Sequence, residues 1–425
     1  MSATTAELSH VLPRDSRVGE RGHLEVGGCD LVDLAREFGT PAYVVAEADL
    51  RAAARRFTTE LRERHPDAQV VFAAKAFPCT AVLRVFAAKG LGCDVASGGE
   101  LAMALRAGFS GERIVLHGNA KSAEELSAAL DAEVGLIALD SRDDVERLRQ
   151  LATAASRRPR VLLRVTPGVA GDTHAAISTG QADSKFGVAL SEAPGVIDEL
   201  RGDDRLEFAG LHVHVGSQLF ELEPLREAVR AVASLGSGFP IYDLGGGLAT
   251  AYTEAQHPPT PAEYVAALVD AAHAALDPGA RLLIEPGRAL VAGCGVTLYT
   301  VQTVKRNVSV WVGVDGGMSD NLRPMLYGAP YEAMLADRPL AAGTVRCHVA
   351  GKHCESGDVL VRDALLPDPV PGDVLLTPAT GAYGHAMANN YNGVPRPPVI
   401  FCAGGRAEVV VRRETYDDLT ARDAG

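Results

Sequence analysis

The chain has 425 residues, of which 47% are hydrophobic and 22% charged, and its formal net charge is −13. This composition is typical of a folded protein of roughly two or three domains and excludes an intrinsically disordered chain. The acidic excess argues against a nucleic-acid-binding protein, because no basic stripe is available to displace the counterions of a phosphate backbone.

Neither a signal peptide nor a membrane span is expected. Residues 1–16, MSATTAELSHVLPRDS, contain no apolar stretch of the signal-peptide kind, and no apolar run reaches the roughly 18–20 residues that cross a membrane. The seven cysteines are scattered and form no C-x-x-C pair, which is typical of reduced thiols. They are Cys29, Cys79, Cys93, Cys294, Cys347, Cys354 and Cys402. We therefore expect a cytoplasmic protein.

Apolar runs of strand length alternate with helical segments as far as about residue 290. Strands are predicted at 68–75, 92–97, 113–119, 135–141, 160–167, 207–217, 241–247 and 281–287. The helices predicted between them include 97–108, 122–133 and 141–155. Ser97, Ser122 and Ser141 begin these helices, each about three residues before an acidic residue, which is the pattern of an N-cap with a capping box.

The strands are apolar along nearly their whole length, which indicates a parallel sheet buried on both faces. Eight such units in succession predict an α/β fold, a closed (β/α)₈ TIM-type barrel. A doubly wound open sheet is the alternative. That fold usually has fewer strands and a glycine-rich turn after the first one, where this chain has AAKAFPC.

After about residue 290 the segments become short, β-rich and separated by turns, which predicts a mainly antiparallel C-terminal β domain. The chain is accordingly divided into three parts. Residues 1–44 are expected to pack with the β domain, 45–290 to form a cofactor-binding barrel, and 291–425 to form the β domain. Residues 166–187 are predicted to be a long insertion after the fifth strand, of a kind that is usually functional or mobile.

Unusual polar residues end several of the predicted barrel strands, where the catalytic groups of such barrels lie. They are Lys75, Asp94, His117, Asn119, Arg164, His212, His214, Gly245–Gly247, Glu285 and Arg288. A lysine at such a position is either salt-bridged or an amine of depressed pKa that bonds covalently to a carbonyl group. The three glycines are either a tight turn or a turn that lets backbone N–H groups approach a phosphate.

His212 and His214 are two residues apart and therefore share a face of their strand. They could be a metal-binding pair, two packed histidines, or include an imidazole stacked on a flat cofactor ring. The metal-binding pair of barrel metallohydrolases normally lies on the first strand and needs later His and Asp ligands, so no metal site is predicted. Glu285 fits a carboxylate that keeps a pyridine nitrogen protonated, the contact that makes pyridoxal 5′-phosphate (PLP) an electron sink. Together with Lys75, these residues favour PLP as the cofactor.

A second cluster, AGKHCESGD at 350–358, brings Cys354 and Glu355 together with a histidine and an aspartate. Three chemistries use such residues: a Cys/His nucleophile pair, a metal site, or a cysteine that donates a proton beside a carboxylate that binds substrate. Lys352 and His353 have no predicted role beyond a structural one.

The sequence resembles the fold-type III PLP-dependent decarboxylases of the alanine-racemase-like superfamily, and within them the diaminopimelate decarboxylases. The resemblance runs from GTPAYV at 39–44 to the end of the β domain. It rests on the ordered blocks FAAKAF, CDVASGGE, LHGNAKS, HVHVGSQ, DLGGGL, IEPGR, DGGMSDNLRPMLYGA, GKHCESGD and TGAYGHAMANNYN. GKHCESGD is similar to the actinobacterial branch in particular.

The resemblance implies a role for each matching residue. Lys75 would bind PLP covalently, His214 would stack on its ring, and Glu285 would pair with the pyridine nitrogen. The implied cofactor-binding residues are Lys75, Asp94, Arg164, His214, Ser217, Gly245, Gly246, Gly247, Glu285, Gly287, Arg288 and Tyr383. The implied substrate-binding residues are Arg288, Arg323, Tyr327, Glu355 and Tyr383.

The substrate implied is meso-2,6-diaminopimelate, which carries an amino-carboxylate group at each end. One end reacts at the cofactor, so the pocket must bind a carboxylate and an ammonium at the other end. Arginines such as Arg323 offer a planar fork for a carboxylate, and Glu355 suits the ammonium. An ornithine-type decarboxylase would need no arginine there, and its cysteine is followed by aspartate.

The resemblance implies loss of CO₂ from the D centre to leave L-lysine, the last step of lysine biosynthesis. The catalytic residues would be Lys75, His214 and Cys354, with Cys354 associated with the proton donor. It also implies a head-to-tail homodimer, in which Cys354 and Glu355 serve the active site of the other subunit. The alternatives are a PLP decarboxylase of another amino acid, such as D-lysine, D-ornithine or a specialised-pathway substrate, a non-catalytic PLP-binding protein, and a PLP racemase.

Overall fold

The computed structural model describes residues 8–169 and 184–424. The predicted insertion at 166–187 therefore lies largely outside the described residues. Within the described part of the chain, none of the helices is both long enough and apolar enough to cross a membrane.

The chain divides into two compact units. The barrel unit comprises Ala53–Ala249 and Pro258–Ala289. The β unit comprises the residues up to Ala52, the segment Thr250–His257, and the residues from Leu290 onward. The domain boundaries expected at 44/45 and 290/291 stay predictions.

The elements follow one another as short strands, then alternating strands and helices, then mainly strands. Up to residue 64 they are β1 (Arg17–Val18), β2 (Leu24–Val26), β3 (Cys29–Asp30), α1 (Leu31–Phe38), β4 (Ala42–Ala46) and α2 (Glu47–Arg64). The next are β5 (Ala68–Ala73), α3 (Thr80–Ala88), β6 (Gly92–Val95), α4 (Gly98–Arg106), β7 (Ile114–Leu116), α5 (Ala123–Asp131), β8 (Leu136–Leu139), α6 (Arg142–Ala155), β9 (Arg160–Thr166), β10 (Val188–Ala189), α7 (Ala193–Arg201), β11 (Glu207–Val213), α8 (Glu223–Ala233), β12 (Ile241–Asp243), α9 (Pro261–Ala275) and β13 (Arg281–Ile284). The last are α10 (Arg288–Val291), β14 (Gly295–Arg306), β15 (Val310–Val314), α11 (Arg323–Tyr327), β16 (Met334–Leu335), β17 (Val345–Ala350), β18 (Val359–Leu366), β19 (Val374–Thr377), α12 (Gly384–Met387), β20 (Val399–Ala403), β21 (Arg406–Val411) and α13 (Tyr416–Thr420).

Eight parallel strands close the predicted barrel. Their order is β5-β6-β7-β8-β9-β11-β12-β13, and β13 pairs in parallel with β5. Buried apolar side chains from seven of these strands pack against one another. They are Val71, Val115, Leu136, Leu162, Ala209, Ile241 and Leu283. The predicted (β/α)₈ fold is therefore confirmed.

The three predicted N-caps are also present. The hydroxyls of Ser97, Ser122 and Ser141 each accept from the backbone N–H three residues later. The reciprocal bond of a capping box forms only at Ser122, with Glu125. At Ser97 it is missing because the Glu100 carboxylate accepts from the N–H of Ala96 instead. These caps stabilise the starts of helices whose apolar faces cover the barrel.

The β unit contains the predicted second, mainly antiparallel sheet. Its strands follow the order β18-β17-β15-β14-β4-β20-β21, and β19 pairs with both β14 and β16. Two of the pairs, β15 with β17 and β4 with β20, are parallel. Strand β4, from the N-terminal part of the chain, lies between β14 and β20 in the sheet.

The β unit encloses a carboxyl group, that of Asp320, which is 1% exposed. Tyr299 donates its hydroxyl proton to Oδ1 over 2.5 Å, and the N–H of Gly317 donates to Oδ2 over 2.8 Å. Burial is the main cause that raises the pKa of Asp320 to about 7. Asp320 is therefore protonated in the folded protein under conditions that ionise it in the unfolded chain.

This difference predicts a loss of stability as pH rises from about 4 to 7. The folded protein keeps a proton that the unfolded chain releases near pH 4, so unfolding is favoured progressively until pH 7, by up to about 4 kcal/mol. We expect Asp320→Asn, which is neutral at every pH, to remove this part of the pH dependence. Urea unfolding of both proteins at pH 5 and pH 8 measures it. Equal losses in the two proteins would contradict the prediction.

Candidate active site

Lys75 lies in a 3₁₀ turn, Ala74–Ala76, that follows the end of β5 at Ala73. Its side chain is exposed, whereas the sequence predicted a lysine that closes the buried strand. The turn is packed closely, because a side chain at Gly287 would meet the Cβ atoms of Ala73 and Ala76 at 3.0 and 3.2 Å. The amine of Lys75 is therefore presented on a firmly packed turn, accessible to a cofactor.

Glu285 is a buried carboxylate that stays ionised. It follows the end of β13, and its Oε2 lies 3.3 Å from Nε2 of His212. Its Oε1 lies 2.6 Å from Nε2 of His117, in a contact without hydrogen-bond geometry. Burial raises the pKa of Glu285, but the two histidines outweigh burial and hold that pKa well below its usual value. One oxygen of an ionised carboxylate is thus left with no hydrogen bond among the described residues.

His212 and His214 have different surroundings, although the sequence placed them on one face. Burial lowers the pKa of His212 to about 3, so its ring is neutral and donates to Glu285. His214 lies just beyond the end of β11, and its Nδ1 accepts from the N–H of Gly246 over 3.1 Å. Burial, followed by the charges of Lys75 and Arg164, lowers the pKa of His214 well below its usual value. His214 is therefore a neutral ring with its proton on Nε2.

Asp94 and Arg164 lie in β6 and β9 and are both buried. Oδ1 of Asp94 is 4.0 Å from Nε2 of His117. Burial raises the pKa of Asp94, and Lys75 and Arg164 act against that rise. The guanidinium of Arg164 lies 4.4 Å from the ring centre of Phe186. Lys75, Asp94, Arg164, His214 and Glu285 therefore lie close enough together for their charges to influence one another.

The Gly245–Gly247 turn is one that side chains would not permit. Gly245 has φ = 67°, and a Cβ at Gly246 would collide with the carbonyl oxygen of Glu285. Ser217 and Arg288 follow the two strands that flank β12, namely β11 and β13. Nη2 of Arg288 donates to Oγ of Ser217 over 2.9 Å. A guanidinium, a hydroxyl and a glycine turn are groups that bind phosphate.

The sequence did not predict a cluster of His117, His212, Asp243 and Glu285, whose ligand atoms all lie within 4.8 Å of one another. Such ligand atoms suit a divalent cation. A cation bound there would, however, occupy the Glu285 carboxylate that is expected to pair with the pyridine nitrogen of PLP. Asp243 precedes the glycine turn in YDLGGG, and His117 ends the third strand, so both were visible at strand ends. Their approach to Glu285 depends on closure of the barrel.

Arg323, in the β unit, is 4% exposed and is held by aromatic rings. Its guanidinium carbon lies 4.2 Å from the ring centre of Tyr252, and Nη1 donates to the hydroxyl of Tyr331. Nε has no hydrogen-bond partner among the described residues. Tyr383 is near enough to interact electrostatically with Arg323. Tyr327 is half-buried at the end of α11. The fixed guanidinium suits recognition of a carboxylate.

Cys354 and Glu355 are exposed in the loop between β17 and β18, and the other six cysteines are buried. All seven are free thiols, as predicted. Glu355 also lines a cavity of about 490 Å³ in the β unit. His353 and Asp358, in contrast, are buried against each other, with Nδ1 of His353 2.8 Å from Oδ2.

The barrel unit has groups that fit both the pyridine ring and the phosphate of PLP. The ionised carboxylate of Glu285 can accept a hydrogen bond from a protonated pyridine nitrogen. Ser217, Arg288 and the glycine turn suit the phosphate, and Lys75 provides an accessible amine. The residues present therefore fit this cofactor.

Comparisons with known proteins agree with this geometry. The family described as pyridoxal-dependent decarboxylase, pyridoxal binding domain, matches residues 47–292. The chain is 47% identical to the diaminopimelate decarboxylase of Actinosynnema pretiosum subsp. auranticum, over 95% of this chain and 93% of that protein. It is 41% identical to that of Bacillus subtilis, over 96% and 97%.

Solved structures of diaminopimelate decarboxylases are also similar to this chain. The diaminopimelate decarboxylase of M. jannaschii, in complex with L-lysine, superposes with a TM-score of 0.90 at 31% identity, covering 96% of this chain and 98% of that one. The Helicobacter pylori enzyme, also complexed with L-lysine, superposes with a TM-score of 0.87 at 30% identity, covering 92% of this chain and 98% of that one.

Proposed function

Since this chain belongs to the diaminopimelate decarboxylase family of pyridoxal-dependent carboxy-lyases, we propose how its own residues convert meso-diaminopimelate to L-lysine and CO₂. The observation that carries the proposal is Glu285, a buried carboxylate kept ionised by two histidines, in the barrel unit that also presents Lys75. The L-lysine in the two related structures supports L-lysine as the product. The seven free thiols support a cytoplasmic location.

Lys75 would hold the cofactor covalently, and Ser217, Arg288 and the glycine turn would bind its phosphate. His214 would lie against the ring, with its orientation fixed by the N–H of Gly246. When bound, PLP supplies an electron sink for the pair released with CO₂. Glu285 would keep a proton on the pyridine nitrogen, because its own pKa is too low to take that proton away.

The β unit would provide recognition of the far end of the substrate. The buried guanidinium of Arg323 suits the distal carboxylate, and Glu355 suits the distal ammonium. Arg288, Tyr327 and Tyr383 complete the proposed substrate contacts. The thiol of Cys354 would donate the proton that replaces CO₂ at Cα, after which L-lysine leaves.

The substrate assignment is tested by CO₂ release from a panel of amino acids. We expect meso-diaminopimelate to be preferred to D-lysine, L-ornithine and L-arginine, because only the first offers a distal carboxylate to Arg323. Arg323→Lys keeps the charge but removes the planar fork, and serves as the matched variant. Preference for a substrate with a single carboxylate would overturn the assignment of Arg323 and Glu355.

We further propose that the active form is a homodimer in which Cys354 and Glu355 serve the partner's cofactor. The exposure of both side chains in a single chain supports this arrangement. Mixing the inactive variants Lys75→Ala and Cys354→Ala should then restore activity, up to about a quarter of the wild-type value for random pairing. Each mixed dimer would contain one intact site. If refolded mixtures stayed as inactive as the two parents, each site would belong to one chain.

A further inference from the structure

Asp358 anchors the loop that contains Cys354 and Glu355. Its buried carboxylate accepts from the N–H of Met318 over 2.8 Å, and from the N–H and Nδ1 of His353 over 3.0 and 2.8 Å. The side chain of His353 is fully buried. The start of the loop and the plane of this imidazole are therefore fixed by a single charged group.

The imidazole of His353 supports Tyr391. The two rings are nearly parallel, at an angle of 8° and a centre-to-centre distance of 5.9 Å. From this position the hydroxyl of Tyr391 donates to Oε1 of Glu355 over 2.5 Å. That hydrogen bond is the main cause that raises the pKa of Tyr391, so the hydroxyl stays a donor at neutral pH.

The next residue, Asn392, holds Cys354. Its Oδ1 accepts from the N–H of Cys354 over 3.0 Å. Asn392 has φ = 55°, in the left-handed region that asparagine adopts more readily than most residues. Tyr391 thus forms a hydrogen bond with the side chain of Glu355, and the next residue, Asn392, forms one with the backbone of Cys354.

We propose that Tyr391 and Asn392 are positioning residues for Glu355 and Cys354. Tyr391 occupies Oε1 of Glu355 and leaves Oε2 for the distal ammonium of the substrate. Asn392 fixes the backbone from which the Cys354 thiol reaches Cα. The inference rests on the proposed function, because it assigns no new reaction and explains how two of its residues are oriented.

Tyr391→Phe tests the first contact, since it keeps the ring against His353 and removes only the hydroxyl. We expect kcat/KM for meso-diaminopimelate to fall about 10-fold, mainly through KM, on the scale of one hydrogen bond to a charged group. D-2-aminopimelate has the same distal carboxylate but no distal amine, so its slower turnover should be unaffected. Equal losses on both substrates, or none on either, would show that Tyr391 does not act through Glu355.

Asn392 is tested by two replacements. Asn392→Gly keeps the left-handed backbone and removes the acceptor, and should lower kcat with little change in KM. Asn392→Asp keeps an acceptor oxygen and should restore most of kcat. Equal activity of the two variants would refute the positioning role.

A measurement without substrate separates this inference from the proposed function. Tyrosine labelled with ¹³C at Cζ gives a signal for Tyr391, identified by its loss in Tyr391→Phe. Glu355→Gln should lower the pKa of that signal, because the charged acceptor is gone. An unchanged pKa would overturn the contact itself. If Glu355→Gln lowers that pKa but the wild-type protein releases no CO₂ from meso-diaminopimelate, the contact stands and the substrate assignment is refuted instead.

Discussion

Replacing Lys75 with alanine is expected to lower kcat for CO₂ release from meso-diaminopimelate by at least about 10⁴-fold, the scale of losses when a covalent catalyst loses its nucleophile. The turn that carries Lys75 is packed against Gly287, so the backbone from which the amine extends is held in place. No neighbouring residue of that turn offers another amine.

The same variant should lose the visible absorption of the protein–cofactor bond, which borohydride abolishes in the wild-type protein. Lys305→Ala, at an exposed position near the end of β14, is the matched control and should retain both absorption and activity. If Lys75→Ala kept a borohydride-sensitive band, another lysine would have to bind the cofactor.

Replacing Glu285 with glutamine is expected to lower kcat by about 10²–10³-fold, the usual cost of losing one preorganised electrostatic contact. Glutamine has nearly the same shape but no charge, so it cannot hold a proton on the pyridine nitrogen. The ionised state of Glu285 depends on His117 and His212, which overcome the effect of burial. The ¹⁵N shift of labelled PLP in the two proteins reports the proton directly, and kcat reports its consequence.

Asp243→Asn is the comparison in the same pocket. Burial and the charge of Glu285 raise the pKa of Asp243 well above its usual value, which favours the neutral form of this residue. Asparagine can still accept from the N–H of Gly245, as Asp243 does over 3.0 Å. We expect a far smaller loss of kcat than in Glu285→Gln. A loss of equal size in both variants would mean that pocket shape, and not the charge of Glu285, is what matters.

The barrel could be predicted from the sequence because each of its strands is buried on both faces and therefore apolar throughout. The strand ends were less predictable. Every predicted strand extends past the observed one at its carboxyl end, as with Lys75 and the Gly245–Gly247 turn. The polar and glycine residues there form turns, and the apolar pattern alone does not show where hydrogen bonding to the next strand stops.

The contacts between the site residues were harder to predict from the sequence than the fold. Glu285 and Lys75 could be selected because a charged residue at the end of an apolar strand is unusual. The arrangement of His117 and Asp243 around Glu285, and of Tyr391 beside Glu355, could not. These pairs are far apart in the sequence, and which residues meet is decided by sheet closure and loop packing rather than by any local pattern.

The position of β4 has a consequence for how the protein is made. This strand, AYVVA, leaves the ribosome before any of the barrel, yet its neighbours β14 and β20 are synthesised only after the barrel is complete. During that interval its apolar residues have neither strand partner, and unpaired segments of this kind associate readily with one another. The barrel, whose strands are contiguous in synthesis, can close first, while the second sheet must wait for the last part of the chain. Yield in a recombinant host should thus depend on how well the nascent N-terminal strand is shielded until translation ends.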